Sequence, residues 1–453
     1  MRFLQTLSQQ RWKSLTAATI VYLIASIGAS QASMEIQQVK SPGGISAWLV
    51  ESNSLPLIAM KFSFRGGAAG DPKEKSGLAS MLSALLDEGA GSLTSQAFQR
   101  KLEDLATRMS FSVGKDNFYG EVQTLSRNKD QTFELLKLAL TKPRFDADPV
   151  ERIRKQILLG IKRSENSPNS VAGKAWSKLA FGDHPYARPS SGNATSVGKI
   201  TPADLRDLAS RLFAKDTLII SVVGNIDAKT LGLALDNVFG SLAEKSGIAE
   251  IPEVEVNPEF RRQVIEMDIP QSIIQFGQKS LKRDDKDFIP AYILNYVLGG
   301  GGFASRLYKE VREKRGLVYS VYTYLNPLDK TGLFMGGAAT KNESVGETLE
   351  IIAQELKRIA ADGVSENELK DAKTYLTGSY PLRFDSNSKI ASQMLGIQME
   401  NLGIGYVDER NDLINAVTID DLKRIAKQLI KPGNMITTVV GKPVGVKSIP
   451  ADS

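Results

Sequence analysis

Cysteine is absent from this chain of 453 residues, and histidine occurs once, at His184. The first absence excludes a disulfide framework, a thiolate nucleophile and a lipid-modified amino-terminal cysteine. The two together leave little from which a zinc centre is ordinarily built, because a catalytic zinc takes three protein ligands, drawn largely from His and Cys. His184, beside Pro185, reads as a loop packing residue. No Gly-x-Ser-x-Gly elbow occurs, so a serine hydrolase of that type is excluded. Asp284, Asp285 and Asp287 read as a solvated turn rather than a calcium loop. Long apolar runs are scarce. The longest that matters, residues 15–28, spans 14 positions, against the roughly 20 that a transmembrane helix needs. The formal charge of +6 includes Arg2, Arg11 and Lys13. Without those three the balance is only mildly basic, which argues against nucleic-acid binding.

What is present begins with those three cations. Together with the apolar run and the small residues Ser30-Gln31-Ala32 they make the pattern of a secretory signal peptide over 1–32, cut after Ala32. Kept uncut, the same segment would be an anchor. The expected address is the bacterial periplasm, with no stable membrane insertion after cleavage. A large exported chain without disulfides relies on its core, and this length permits one.

Behind the leader, residues 34–39, 45–49 and 57–64 read as strands. The last alternates Ile58, Met60, Phe62 and Phe64 against Ala59, Lys61 and Ser63, the pattern of a half-buried strand. Helices are expected over 77–87, 95–106, 129–140, 149–164, 171–180 and 202–212, with alternating strands over 109–125 and an apolar strand over 218–223. The second half then repeats the first. Thr201, Asp204, Leu205, Val223 and Gly224 recur 217 positions later as Thr418, Asp421, Leu422, Val440 and Gly441. Thr132 and Glu134 recur 216 later as Thr348 and Glu350, and Gly160, Asn169 and Ser170 recur 218 later as Gly378, Asn387 and Ser388. So constant an offset marks an internal duplication. The expected organisation is two α+β domains, over 33–240 and 261–445, with a linker at 241–260 and a tail at 446–453. Each is expected to be a mainly antiparallel sheet covered by helices, the two facing each other across a cleft.

The stretch 298–322, LGGGGFASRLYKEVREKRGLVYSVY, organises the second copy. Its counterpart in the first is 77–91. Gly299, Gly300, Gly301 and Gly302 permit unusual turns. Phe303, Leu307 and Val311 are spaced for one face of a helix, Gly316 stands where a left-handed turn would end it, and 317–322 reads as a strand. Arg312 and Tyr319 are thereby placed to converge on a bound carbonyl or carboxylate. The plainer reading of Arg312 is one solvated charge among Lys309, Glu310, Glu313, Lys314 and Arg315. Phosphate binding by the glycine run lacks both the Lys-Ser/Thr signature and a preceding strand.

The paired α+β domains, the glycine run and the spacing Arg312-Glu-Lys-Arg-Gly-Leu-Val-Tyr319 resemble the M16 zinc peptidases. The stretch Phe181-Gly182-Asp183-His184-Pro185-Tyr186 fits the bacterial members. The resemblance implies that the first-domain helix should carry His-x-x-Glu-His, two histidines on zinc and a glutamate as general base, with a second glutamate further along. The matching segment here, 77–84, has Ser80 and Ala84 at the histidine positions and Ser83 at the base, while Gly160 and its neighbours offer no distal carboxylate. The resemblance further implies that Arg312 and Tyr319 hold the peptide backbone opposite zinc, the arginine on a carbonyl and the phenol at the developing oxyanion.

Retention of that pair beside a lost metal site implies a division of labour. The expectation is a non-catalytic, substrate-binding subunit of a periplasmic heterodimeric zinc metallopeptidase. It would bind no cofactor itself and pair with a homologous subunit that carries zinc. Extended peptides would add to a sheet edge of that partner, the corresponding stretch here being 112–121. The alternative expectation is a peptidase-like peptide-binding or scaffold protein with no proteolytic role.

Overall fold

The computed structural model describes residues 35–450. The leader read over 1–32 and the end of the tail lie outside the described residues. The first sheet has six strands, β1 (Gln37–Lys40), β2 (Ser46–Glu51), β3 (Leu57–Arg65), β4 (Arg108–Val113), β5 (Asn117–Leu125) and β6 (Leu218–Gly224). Their spatial order is β1-β2-β6-β3-β5-β4. Only β2 and β6 run parallel. The second sheet has five, β7 (Arg261–Glu266), β8 (Gln271–Ser280), β9 (Val318–Leu328), β10 (Thr331–Lys341) and β11 (Ile436–Gly441), ordered β9-β10-β8-β11-β7. Here only β7 and β11 run parallel. Strand for strand the second sheet repeats the first without β1. Helices pack on both sheets, as expected of a duplicated α+β chain.

The repeat extends to single interactions. Thr201 with Asp204, and Thr418 with Asp421, form the same reciprocal capping box, which satisfies backbone donors that a helix start leaves free. Gly224 and Gly441 end equivalent strands at φ +142° and +150°, a region closed to other residues. Thr132 and Thr348 are fully buried and bond to hydroxyls of the neighbouring strand, Thr124 at 2.9 Å and Thr340 at 3.3 Å. Gly120 lies under the ring of Phe62 and Gly336 under that of Phe276; a Cβ would come within 2.0 Å and 2.2 Å of those rings.

The halves exchange a helix. Pro168–Phe181, from the first half, lies on β8 and β11 of the second sheet. Trp176 Nε1 donates to the Ile436 carbonyl at 3.1 Å, and Thr438 Oγ1 to that of Ala172 at 3.1 Å. In return Asn387–Met399 lies on β3 and β6, where Gln398 Nε2 donates to the Ile220 carbonyl at 3.1 Å and to Ser221 Oγ at 2.7 Å. This exchange corrects one expectation. β3 is not half-buried: Ala59 and Ser63, on its supposed wet face, are buried too, because the incoming helix covers them. A third core of Trp176, Phe181, Val256, Leu333 and Met335 forms between the halves. The stretch 241–260 crosses it without helix or strand.

Candidate functional site

In the second copy, helix Phe288–Asn295 runs on into a π-turn at Tyr296–Gly300. The glycines here serve close approach more than unusual dihedrals. A Cβ on Gly299 would stand 2.5 Å from Thr323 Oγ1 on β9, and one on Gly300 would stand 2.5 Å from Asn295 Nδ2. Only Gly302 of the four has a positive φ, +56°. The expected helix over 303–311 is irregular. Gly302–Ala304 forms a separate 3₁₀ turn, and Tyr308–Glu313 is a π-turn, a widened geometry frequent at functional sites. Leu307 and Val311 are fully buried as their spacing requires, but Phe303 is 74% exposed. The break at the 3₁₀ turn takes it off their face.

Gly316 ends the turn in the left-handed region at φ +64°. Its N–H donates to the Arg312 carbonyl at 2.8 Å, and Leu317 N–H reaches the Val311 carbonyl at 3.1 Å. β9 follows, and its first residues decide where Tyr319 points. Val318 pairs with Thr340 and Ser320 with Ala339, so Tyr319 is the extra residue of a β-bulge. Regular alternation outward from buried Val321 would turn Tyr319 toward the core and Val318 toward solvent. The bulge reverses both: Val318 is buried and Tyr319 is 78% exposed.

The structure therefore brings the expected pair together. The Arg312 guanidinium lies 5.2 Å from the centre of the Tyr319 ring, 4.8 Å from that of Tyr308 and 6.0 Å from that of Phe303. It also donates to the Tyr308 hydroxyl. Three aromatic faces hold the cation while Tyr319 stays open on the surface. Sequence reasoning missed Phe303 and Tyr308 as parts of the site. Tyr308 was within reach, since it lies four residues before Arg312. A second clamp holds the segment from behind. Arg306 makes two bonds to the Glu368 carboxylate, at 2.6 and 2.7 Å, and one to the Gly363 carbonyl at 3.0 Å. Burial works to raise the Glu368 pKa, but the bonds from Arg306 and Ser365 outweigh it and hold the carboxyl at about 2. β9 is an edge strand, with Tyr322 and Tyr324 half exposed and stacked 6.2 Å apart along it.

In the first copy the positions expected for a lost zinc motif hold structural contacts. The regular helix covers only Leu78–Ser83 rather than 77–87. Ser83 Oγ donates back to the Ser80 carbonyl at 2.9 Å, the kind of local competition that shortens helices. Ser80 Oγ donates to the Ser190 carbonyl at 2.8 Å, and Ala84 caps the helix end. Gly160 is exposed, with open space where a side chain would be. Serine, alanine and glycine are not among the residue types that ordinarily bind zinc. Among the described residues no group of three or more His, Cys, Asp or Glu side chains converges for a metal. His184 packs against Tyr186, accepts at Nδ1 from the Tyr186 N–H at 3.2 Å, and contacts the Pro252 carbonyl through Nε2 at 3.0 Å. Asp287 is committed to Arg424 through two bonds of 2.7 Å. The edge strands of the first sheet are β1 and β4, Arg108–Val113, so the stretch 112–121 reaches an edge only at its start. Of that stretch, Ser112 and Val113 end β4, while 117–121 belong to β5, which pairs on both sides.

Residues 49–193 match the family described as Insulinase (Peptidase family M16), and residues 199–376 match the Peptidase M16 inactive domain. The chain belongs to the M16 peptidase family. The M16 chain is 28% identical over 362 residues to the non-peptidase homolog YmxG of Helicobacter pylori, covering 80% of this chain and 82% of that one. It is 23% identical to the uncharacterized zinc protease YmxG of Bacillus subtilis, over 87% of this chain and 95% of the relative. Its structure superposes on a peptidase M16 inactive domain from Pseudomonas fluorescens with a TM-score of 0.85 at 28% identity, covering 92% of this chain and all of that one. A protease from Helicobacter pylori shares the fold at a TM-score of 0.81 and 20% identity, over 90% and 99% of the two chains.

Proposed function

We propose that this chain is the substrate-holding subunit of a heterodimeric M16 peptidase of the bacterial periplasm, paired with a homologous subunit that holds the zinc. The observation that carries the reading is the pairing of Arg312 and Tyr319, with Tyr319 turned outward by a bulge, in a chain whose own metal positions are Ser80, Ser83, Ala84 and Gly160. The caged guanidinium is a charged donor for a peptide carbonyl, stronger than a neutral one. The phenol supplies a donor for an oxyanion that develops on the partner's side. A single oxyanion donor contributes a factor of about 10²–10³ to turnover. The Helicobacter pylori relative is named a non-peptidase homolog, which favours the second reading, a peptide-holding scaffold without proteolysis.

Co-expression with an M16 subunit bearing His-x-x-Glu-His, followed by assay on unstructured peptides, separates the two. The expected result is cleavage by the pair, abolished by chelator. Turnover should fall by roughly 10²-fold in Tyr319→Phe and at least as far in Arg312→Ala, with the dimer intact. Full turnover in both variants, or chelator-sensitive cleavage by the isolated chain, overturns the proposal. Absence of turnover with any such partner selects the scaffold.

A further inference from the structure

A cavity of about 280 Å³ lies in the second half, remote in sequence from Arg312 and Tyr319 and containing neither. Helices Phe288–Asn295, Asn387–Met399 and Tyr406–Ala416 contribute to its walls. Three arginines line it, Arg283, Arg383 and Arg410, against one acid, Glu400. The lining charge is therefore three minus one, or +2, in a small space.

Arg410 is the unusual member. It is 4% exposed. One of its terminal nitrogens donates to the Leu376 carbonyl at 3.1 Å and to Asn411 Oδ1 at 3.2 Å. The other, Nη2, is buried and has no partner among the described residues. Its guanidinium lies 4.2 Å from the centre of the Tyr380 ring and 6.0 Å from that of Tyr292. A buried cation normally has a carboxylate or a full set of acceptors, and a buried donor left unmade is costly. Ring faces soften that cost but accept no strong hydrogen bond. Arg383 is exposed at the rim, its nearest polar contact being a long 3.5 Å approach to the Tyr292 hydroxyl. Arg283 is held 4.4 Å from the centre of the Phe288 ring and donates to the Tyr406 hydroxyl at 2.8 Å. All three cations thus have aromatic or hydroxyl neighbours, and none pairs with a carboxylate among the described residues.

We infer that this cavity binds a small carboxylate-bearing ligand, with the anionic group taken by Arg410 and Arg383 and the body resting on Tyr292 and Tyr380. Guanidinium and carboxylate match in planar, two-bonded geometry. The aromatic lining suits an apolar body. A singly charged group fits better than phosphate, which carries up to about two charges at neutral pH and would face Glu400. The carboxylate is either that of a free acid or the terminus of a peptide.

Calorimetric titration of the full chain tests this with four probes: benzoate, inorganic phosphate, and one short peptide with a free and with an amidated carboxy terminus. The expected result is saturable one-site binding of benzoate or of the free-acid peptide. Binding should weaken about tenfold in Arg383→Gln, a rim substitution that leaves the core untouched, and tighten in Glu400→Gln. Benzoate alone identifies a free acid as ligand. The free-acid peptide without its amide identifies a chain terminus. Phosphate as the tightest ligand overturns the carboxylate assignment. No saturable binding, or binding indifferent to Arg383→Gln, overturns the site.

Discussion

Gly120 and Gly336 show what a single missing side chain can do in this molecule. Each admits a phenylalanine ring from the adjacent strand onto its backbone. Gly120→Ala would drive a methyl into the fully buried Phe62, and overpacking of this kind costs about 1–3 kcal/mol. Thermal melting should show a clear fall for Gly120→Ala and none for Gly160→Ala, whose Cβ would enter open space on a helix and gain helix propensity. The duplication itself was legible at this scale, since Thr132, Thr201 and Gly224 and their repeats are letters at fixed spacing. The Phe-over-Gly packing was not, because it joins positions on different strands. The same contrast holds at the site. Arg312 and Tyr319 stood out as a pair in the letters, but the bulge that carries the phenol out to the guanidinium did not. Nothing in the letters foretold that Phe303 would leave the helix face and turn to the guanidinium.

Elements follow the same division. Regular helices were readable from their period, as over 202–212, which the structure shows as Pro202–Leu212. The π-turns and the bulge at Tyr319 were not, because they express packing against neighbours rather than local preference. What fixes the irregular segment is the Arg306–Glu368 pair, and this gives it a pH signature. The Glu368 pKa falls from 4.5 to about 2 on folding. A depressed carboxyl contributes stability that is full above about pH 4.5 and is lost as pH drops toward 2. Melting temperature should therefore fall through that window more steeply in the wild type than in Glu368→Gln. Equal slopes would show that the pair does not anchor the segment.

For the whole molecule the decisive feature is the exchange of helices, invisible to sequence reasoning because an amphipathic pattern says that a face is buried and not which sheet buries it. Residues 168–181 have a readable apolar face, yet their Trp176 ends in the other half. Either half expressed alone would leave one face of its sheet uncovered at β3 and β6 or at β8 and β11. Residues 35–240 and 241–450 should each be insoluble or molten when made separately, and should yield a folded, cooperatively melting complex when made together. A cooperatively melting 35–240 fragment would show that the exchange is dispensable.

A body laced in this way has no flexible waist. Its lobes cannot swing apart to admit a chain and swing shut upon it, as a purse does. If such a molecule takes part in enclosing anything, it does so as one stiff jaw, and the hinge lies between it and whatever it meets.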